Sequence, residues 1–232
     1  MQLFYTESKE NCFTLNRDES KHAIKVLRKK EKDILNFTNG EGSLLITEIL
    51  IADIKKTKVQ VIKKENKLKK HKYYLHIAIA PTKKIDRFEW FLEKACEIGI
   101  DEITPIICSN SERKIIKKER CERILLSAMK QSLKFHKPKL NQAICITEFL
   151  RKKDDSAKYI AHCEEGKKIK LKNQKIDNKN LILIGPEGDF SKGEIKLAMK
   201  NKFKAISLSN SRLRTETAGI VAVNTINYIS ND

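Results

Sequence analysis

The chain is predicted to be an α/β protein: a small β-rich domain over residues 1–70, then a domain of alternating strands and helices over residues 71–232. Three observations predict this. Four branched aliphatics, Leu181 to Ile184, stop at Gly185-Pro186-Glu187-Gly188, the mark of a buried strand delivered into a tight loop. Ser191, with Glu194 three residues on, forms a capping box, so a helix follows the loop. The pattern then repeats. Ala205 to Leu208 runs into a polar loop, beyond which Ala218, Val221, Ala222, Thr225, Ile226 and Ile229 recur at helical spacing. Successive strand–loop–helix units leave a cleft at the carboxyl ends of their strands, where α/β proteins bind ligands.

From the N-terminus, Gln2 to Tyr5 reads as a strand and Asp18 to Lys30 as a helix with Ala23, Val26 and Leu27 on one face. His22, Lys25 and Arg28 then share a flank of that helix. Asp33 to Phe37 and Ser43 to Ile51 are strand-like, and Asn39-Gly40 between them predicts a hairpin. Lys58 to Ile62 alternates as another strand. Lys63 to Lys72 holds six lysines and almost nothing apolar, so it is the expected solvated linker. Tyr73 to Ala80 is a strand ending at Pro81-Thr82-Lys83-Lys84. Asp86 to Ile98 is an amphipathic helix with Phe88, Phe91, Leu92, Ala95 and Ile98 inward, stopped by Gly99. Glu102 to Cys108 is a strand. Glu119 to Ser132 is a helix with Cys121, Ile124, Leu125, Ala128 and Met129 inward, and Tyr159 to Cys163 is a further strand. Thr215 and Thr217 are N-cap candidates for the last helix.

Composition bounds the partners. The 48 Lys and Arg against 30 Asp and Glu leave +18, which favours a polyanion because phosphate neutralisation releases counterions. A Lys-rich compositional drift gives the same excess, so charge alone is modest support for RNA. No apolar run approaches the roughly 18 residues of a membrane span, and no signal-peptide pattern opens the chain. The six cysteines are scattered without metal-ligand spacing. Cys121 and Cys145 fall among apolar positions as small core residues. His162 and Cys163 are adjacent and point to opposite faces of a strand. The expectation is a cytoplasmic, reduced, metal-free protein.

Ile184-Gly185-Pro186-Glu187-Gly188-Asp189-Phe190-Ser191, followed by Leu213-Arg214-Thr215-Glu216-Thr217-Ala218, resembles the C-terminal signature of the ribosomal RNA small-subunit methyltransferase E family. Its members are SPOUT methyltransferases with a C-terminal trefoil knot. Glu93 to Gly99 and Ile103-Thr104-Pro105 resemble the family's opening helix and second strand, and His22 to Arg28 its His…Val-Leu-Arg motif. The resemblance implies a PUA-like barrel at the N-terminus, S-adenosylmethionine as methyl donor, and N3 of one uridine in 16S rRNA of the small subunit as acceptor. It also implies a homodimer. By resemblance, the donor is enclosed by Leu183, Ile184, Gly185, Pro186, Glu187 and Gly188, by Leu208 and Ser209, and by Arg212, Leu213, Arg214 and Thr217. The candidate RNA contacts are His22, Lys25 and Arg28, with Lys83, Lys84 and Arg87. No metal is implied.

Three positions depart from the family. Ser209 stands where it usually has Gly, Ser211 where it often has Arg, and Lys130 where it has Glu before Gln131-Ser132. Gly185 and Gly188 admit backbone close to a ligand, since no Cβ intrudes. Without the resemblance, the loop reads as an ordinary strand-to-helix turn, neither a dinucleotide fingerprint nor a P-loop. Methylation at N3 requires loss of a proton, so a base, or cations that stabilise the anion, must sit nearby. Arg214 is the first choice for binding a target phosphate or stabilising that anion. Glu216 is the loop's only carboxylate, and its roles are general base or, more ordinarily, first-turn helix acid. The competing readings are a non-catalytic RNA-binding assembly factor, which donor binding would discriminate, and a SPOUT enzyme for a different RNA.

Overall fold

The structure is a computed structural model that describes residues 1–67, 71–174 and 176–231. The chain divides into two compact units, Met1–Lys70 with Met129–Lys137, and His71–Ala128 with Pro138–Asp232.

The first unit opens with β1 (Leu3–Tyr5) and β2 (Cys12–Thr14), followed by helix α1 (Arg17–Lys21). Asn16 caps α1 by accepting the Glu19 N–H, and the helix runs on as a π-turn over His22–Val26. Then come β3 (Ile34–Thr38), β4 (Ser43–Ile51) and β5 (Lys58–Asn66). The sheet order is β1-β3-β4-β5-β2, with β1 parallel to β3 and the other pairs antiparallel. Inward residues of all five strands close one core around Phe4, Phe13, Leu35, Phe37, Ile49 and Val59. The Phe13 and Phe37 rings meet edge-on at 5.2 Å. The predicted hairpin forms between β3 and β4, where Asn39 Oδ1 accepts from the N–H groups of Glu41 and Ser43 and Gly40 takes φ 74°. Residues 129–137 complete this unit: Gly42 N–H donates to Phe135 O and Lys137 N–H to Gly40 O.

Two expectations fail in this unit. The helix forecast to Lys30 ends at Val26, because Leu27 N–H reaches back five residues to His22 O. The wider π-turn breaks the 3.6-residue period. Val26 is consequently exposed rather than inward, and Arg28 lies beyond the helix at φ 54°, off the flank of His22 and Lys25. The expected linker also begins too early. Lys63 and Lys64 belong to β5, whose second half pairs, among the described residues, with β4 alone, and charged residues suit such a strand edge. The part of the linker at 68–70 lies outside the described residues.

The second unit is built on parallel strands. In order these are β6 (Tyr74–Ile79), β7 (Glu102–Ile107), β8 (Lys139–Leu140), β9 (Ile144–Cys145), β10 (Ala157–Ala161), β11 (Ile169–Lys170), β12 (Lys179–Ile184) and β13 (Lys204–Ser207). Between them lie α2 (Ile85–Ile98), α3 (Lys118–Gln131), α4 (Ile146–Arg151) and α5 (Lys192–Lys200), and α6 (Thr215–Asn231) follows the last strand. The sheet order is β11-β13-β10-β12-β6-β7-β8, with β9 also on β7, and each pairing is parallel. Alternation sorts the two faces. Ala78, Leu181 and Leu183 join Phe149 and Leu150 of α4 and Ala198 of α5 in one core. The other face meets α2 and α6, where Gly219 comes so close that a Cβ would stand 2.6 Å from the Phe91 ring and 3.0 Å from Ile79. The end of α6 is stitched to the unit's beginning: Asn227 Nδ2 donates to the Tyr73 hydroxyl at 2.9 Å, and that hydroxyl donates to Gly99 O.

Cys145 is exposed, not a core residue, because β9 is a two-residue strand that turns Ile144 inward and its neighbour out. Thr215 and Thr217 are not caps. The helix starts at Thr215, with Arg214 O accepting the Ala218 N–H as its first bond.

Where the strands begin, Glu102 accepts hydrogen bonds from Asn141 (2.6 Å), Lys139 (3.0 Å) and the Tyr74 hydroxyl. Burial pushes its carboxyl up, yet the donors outweigh burial and hold it at about 2 against an ordinary 4.5. A lowered folded value stabilises above the unfolded one and is lost as pH falls through the folded one. Stability should therefore fall from pH 4.5 toward 2, with Glu102 accounting for about 2–3 kcal/mol. Urea midpoints across that window should show a shallower slope for Glu102→Gln; an unchanged slope refutes the assignment.

Candidate methyl-donor site

The carboxyl ends of β10, β12 and β13 open into a cavity of about 700 Å³. Because β12 and β13 flank β10, the loops that follow the two outer strands face one another across it. The loop after β12 is held from several sides. Pro186 O accepts the Asp189 N–H at 2.9 Å, closing a turn with Asp189 at φ 62°. Asp189 earns this conformation with both oxygens, accepting from Phe190 N–H and from Cys163 N–H after β10. Asn110 Nδ2 donates to the Gly188 and Asp189 carbonyls, and Glu187 Oε1 accepts the Lys83 N–H. Ser191 and Glu194 then make the predicted capping box. Glu194 is buried, and its second oxygen takes both the N–H and the hydroxyl of Ser109, so the cap also fixes the loop after β7.

The loop after β13 supplies the opposite wall. The Ser207 hydroxyl donates to Ser209 O, and Ser209 Oγ accepts the Ser211 N–H, so the serine that replaces glycine braces the turn. Thr215 Oγ1 donates to Gly185 O at 3.0 Å and Arg212 reaches Glu187 O at 3.4 Å, tying the two walls together.

Of the residues expected at the donor, Ile184, Gly185, Pro186, Glu187, Leu208, Ser209, Arg212, Leu213 and Arg214 line the cavity. Leu183 is sealed in the sheet, and Gly188 and Thr217 are not among the lining residues. The glycines serve packing. A Cβ on Gly185 would stand 3.1 Å from the Phe190 ring, and one on Gly188 would stand 3.1 Å from Asn110 Cβ. Neither glycine takes a positive φ, so these close neighbours are what a side chain there would have to displace.

Arg214 is exposed on the rim, and its guanidinium makes no hydrogen bond or ion pair with any described residue. Glu216 does not line the cavity. It is buried in the first turn of α6, with Oε1 3.7 Å from Arg87 Nε and Oε2 unpartnered among the described residues. Lys83 pairs with Glu112 at 2.7 Å, and Lys84 is the exposed residue before α2. In the first unit His22 and Lys25 lie on the π-turn, and Lys130 pairs with Glu19 at 2.8 Å.

Sequence reasoning missed the third wall. His162, Cys163 and Lys168 line the cavity after β10, and only the sheet order brings them there. Burial, with Lys168 nearby, pushes the His162 imidazole below its ordinary value, so it is neutral at pH 7. Among the described residues no group of three or more His, Cys, Asp or Glu is placed to hold a metal, and no helix is long and apolar enough to cross a membrane.

The RNA methyltransferase domain family matches residues 69–227, and the RNA methyltransferase PUA domain family matches residues 15–64. The ribosomal RNA small subunit methyltransferase E of Mesomycoplasma hyopneumoniae is 32% identical over 225 residues, 94% of this chain and 95% of the relative. The chain belongs to the ribosomal RNA small subunit methyltransferase E family. The enzyme of the same name from Rickettsia conorii is also 32% identical, over 90% of this chain and 86% of its own. Among solved structures, a probable rRNA-methyltransferase from Porphyromonas gingivalis superposes with a TM-score of 0.94 at 41% identity, covering 100% of this chain and 99% of that one. A methyltransferase from Legionella pneumophila, solved with bound S-adenosylmethionine, gives 0.88 at 25% identity over 98% and 97%. The methyltransferase E signature thus occupies the two facing walls of the cavity, with its N-terminal unit PUA-like.

Proposed function

We propose that the chain transfers a methyl group from S-adenosylmethionine to N3 of one uridine in 16S rRNA of the small ribosomal subunit. The observation that carries this is Arg214, a guanidinium without a partner among the described residues, on the rim of a cavity walled by both signature loops. The residues present fit the donor. The volume suits a nucleoside-sized ligand. Ile184, Ile206, Leu208 and Leu213 offer apolar surface to an adenine, and Lys168 and Arg212 offer cations to a carboxylate. Asp189 and Glu187 already accept hydrogen bonds from the backbone, so the cavity's two carboxylates are compensated.

When bound, the donor supplies a methyl group on a sulfonium, an activated leaving group. The chain must then stabilise the uridine as its N3 proton departs, and Arg214 places a full positive charge where that negative charge develops. Glu216 acts one step back in this reading: its carboxylate orients Arg87, which with Lys83 and Lys84 meets RNA phosphate. His22, Lys25 and Arg28 provide further phosphate contacts from the PUA-like domain. The target base is unstacked to be reached. The two walls, joined by the bonds from Thr215 to Gly185 and from Arg212 to Glu187, are the segments that the family resemblance places in a trefoil knot. The active form is a cytoplasmic homodimer.

The test is tritium transfer from labelled S-adenosylmethionine to 30S subunits lacking the modification, with nucleoside analysis of the product. Label in 3-methyluridine is the expected result. Saturable donor binding without label redirects the activity to another RNA. Absence of both removes the enzyme reading in favour of an RNA-binding factor.

A further inference from the structure

The donor cavity uses the carboxyl ends of the strands, yet a second cavity of about 460 Å³ lies where the strands begin. His76 of β6, Glu102 of β7, Lys158 of β10 and Leu181 of β12 all contribute to it. The geometry points to a second ligand site there, one that takes a nucleotide. This reading is independent of the methyl-transfer chemistry.

The floor is polar and neutral. His76 Nε2 lies 2.7 Å from Thr104 Oγ1, which also accepts from Asn141 Nδ2 at 2.7 Å. Those bonds leave His76 Nδ1 and Asn141 Oδ1 without a protein partner among the described residues, so each is available to a ring edge. Burial holds the imidazole below its ordinary value and thus uncharged at pH 7. The walls are apolar. Phe149 stands edge-on to His76 at 5.7 Å, with Leu181 and Phe203 alongside. The rim is cationic: Lys152 and Lys153 are exposed, and Lys158 lies 5.8 Å from the Phe203 ring centroid. Of the two carboxylates present, Glu102 is compensated by Lys139, Asn141 and Tyr74, and Asp154 accepts the Ser156 N–H, while Lys152, Lys153 and Lys158 make no ion pair among the described residues.

Each part selects for something different. Inorganic phosphate needs the lysines but neither the aromatic walls nor a space of this size. An apolar ligand leaves the floor unpaired, which disfavours it. A planar base with a phosphate uses all three, since base faces pack on aromatic side chains and phosphates draw amines. The source is either a free nucleotide or one residue of an RNA strand, and the chemistry at the site is shared.

The test uses the full chain and calorimetric titration with uridine 5′-monophosphate, adenosine 5′-monophosphate, uridine, a short oligoribonucleotide and the same oligonucleotide with abasic positions. Lys152→Glu combined with Lys153→Glu changes only exposed side chains, so the fold is preserved. Saturable monophosphate binding that weakens about tenfold or more in this variant, and that S-adenosylmethionine does not displace, supports the site with a free nucleotide. Binding of the intact oligonucleotide alone, lost with abasic positions and weakened by the variant, supports the site with RNA as the source. Equal binding of the intact and abasic strands reduces the feature to a surface phosphate patch and overturns the proposal. So does displacement by S-adenosylmethionine, and so does the absence of any nucleotide binding at millimolar concentration.

Discussion

Glu194→Ala is expected to destabilise the protein by about 3–5 kcal/mol, because a buried carboxylate serving several donors leaves each of them unpaired when it is removed. Three groups lose their acceptor: the N–H of Ser191 at the head of α5, and the N–H and hydroxyl of Ser109 after β7. Truncation also opens space at a buried position, which adds to the lost hydrogen bonds. Glu194→Gln retains an acceptor oxygen and should cost about half as much. Urea unfolding of the three proteins measures this, and a loss below about 1 kcal/mol for alanine refutes it. The damage should also reach the cavity. Ser109 precedes Asn110, whose amide holds the Gly188 and Asp189 carbonyls, so donor affinity should fall together with stability.

Arg214→Ala is expected to lower kcat by about 10²–10³-fold, the usual effect of removing one preorganised donor to a developing anion. Stability should change little, since the side chain is exposed and without a partner among the described residues, and the carbonyl that starts α6 is retained. The discriminating measurement is turnover alongside donor affinity. A charge acting on the reacting base lowers kcat and leaves the donor Kd within about tenfold, whereas a donor-binding charge does the reverse. Arg214→Lys keeps the charge but not the planar fork and should recover only part of the rate. Turnover within threefold of wild type removes Arg214 from the chemistry.

Local chemistry made the strands of the parallel sheet readable. Leu181 to Ile184 is aliphatic throughout because both faces of β12 are covered, and Ser191 with Glu194 declares the start of α5 without tertiary help. The short elements carry no such signal. β8, β9 and β11 are two residues each, and their pairing is decided by neighbours far along the chain. The same holds for the site. Two of its walls are contiguous motifs, but His162 and Lys168 enter through the position of β10 between β12 and β13, which is topology and not composition. Val26 and Arg28 were misplaced for a different reason. A π-turn shifts the helical phase, and nothing in the residue pattern announces it.

The bond from Asn227 to Tyr73 has a consequence for synthesis. Thr215 and Ala218 of α6 line the donor cavity, and the anchor of that helix, Tyr73, stands just before β6, 154 positions earlier in the chain. At about 5–20 residues per second, the early strands wait several seconds for α6 before the domain can be completed. Until then the Gly219 seat against Phe91 is empty and the cavity lacks a wall. A chain synthesised only as far as β13 therefore has no complete donor cavity, and the two ends of the domain are joined only once α6 has been made.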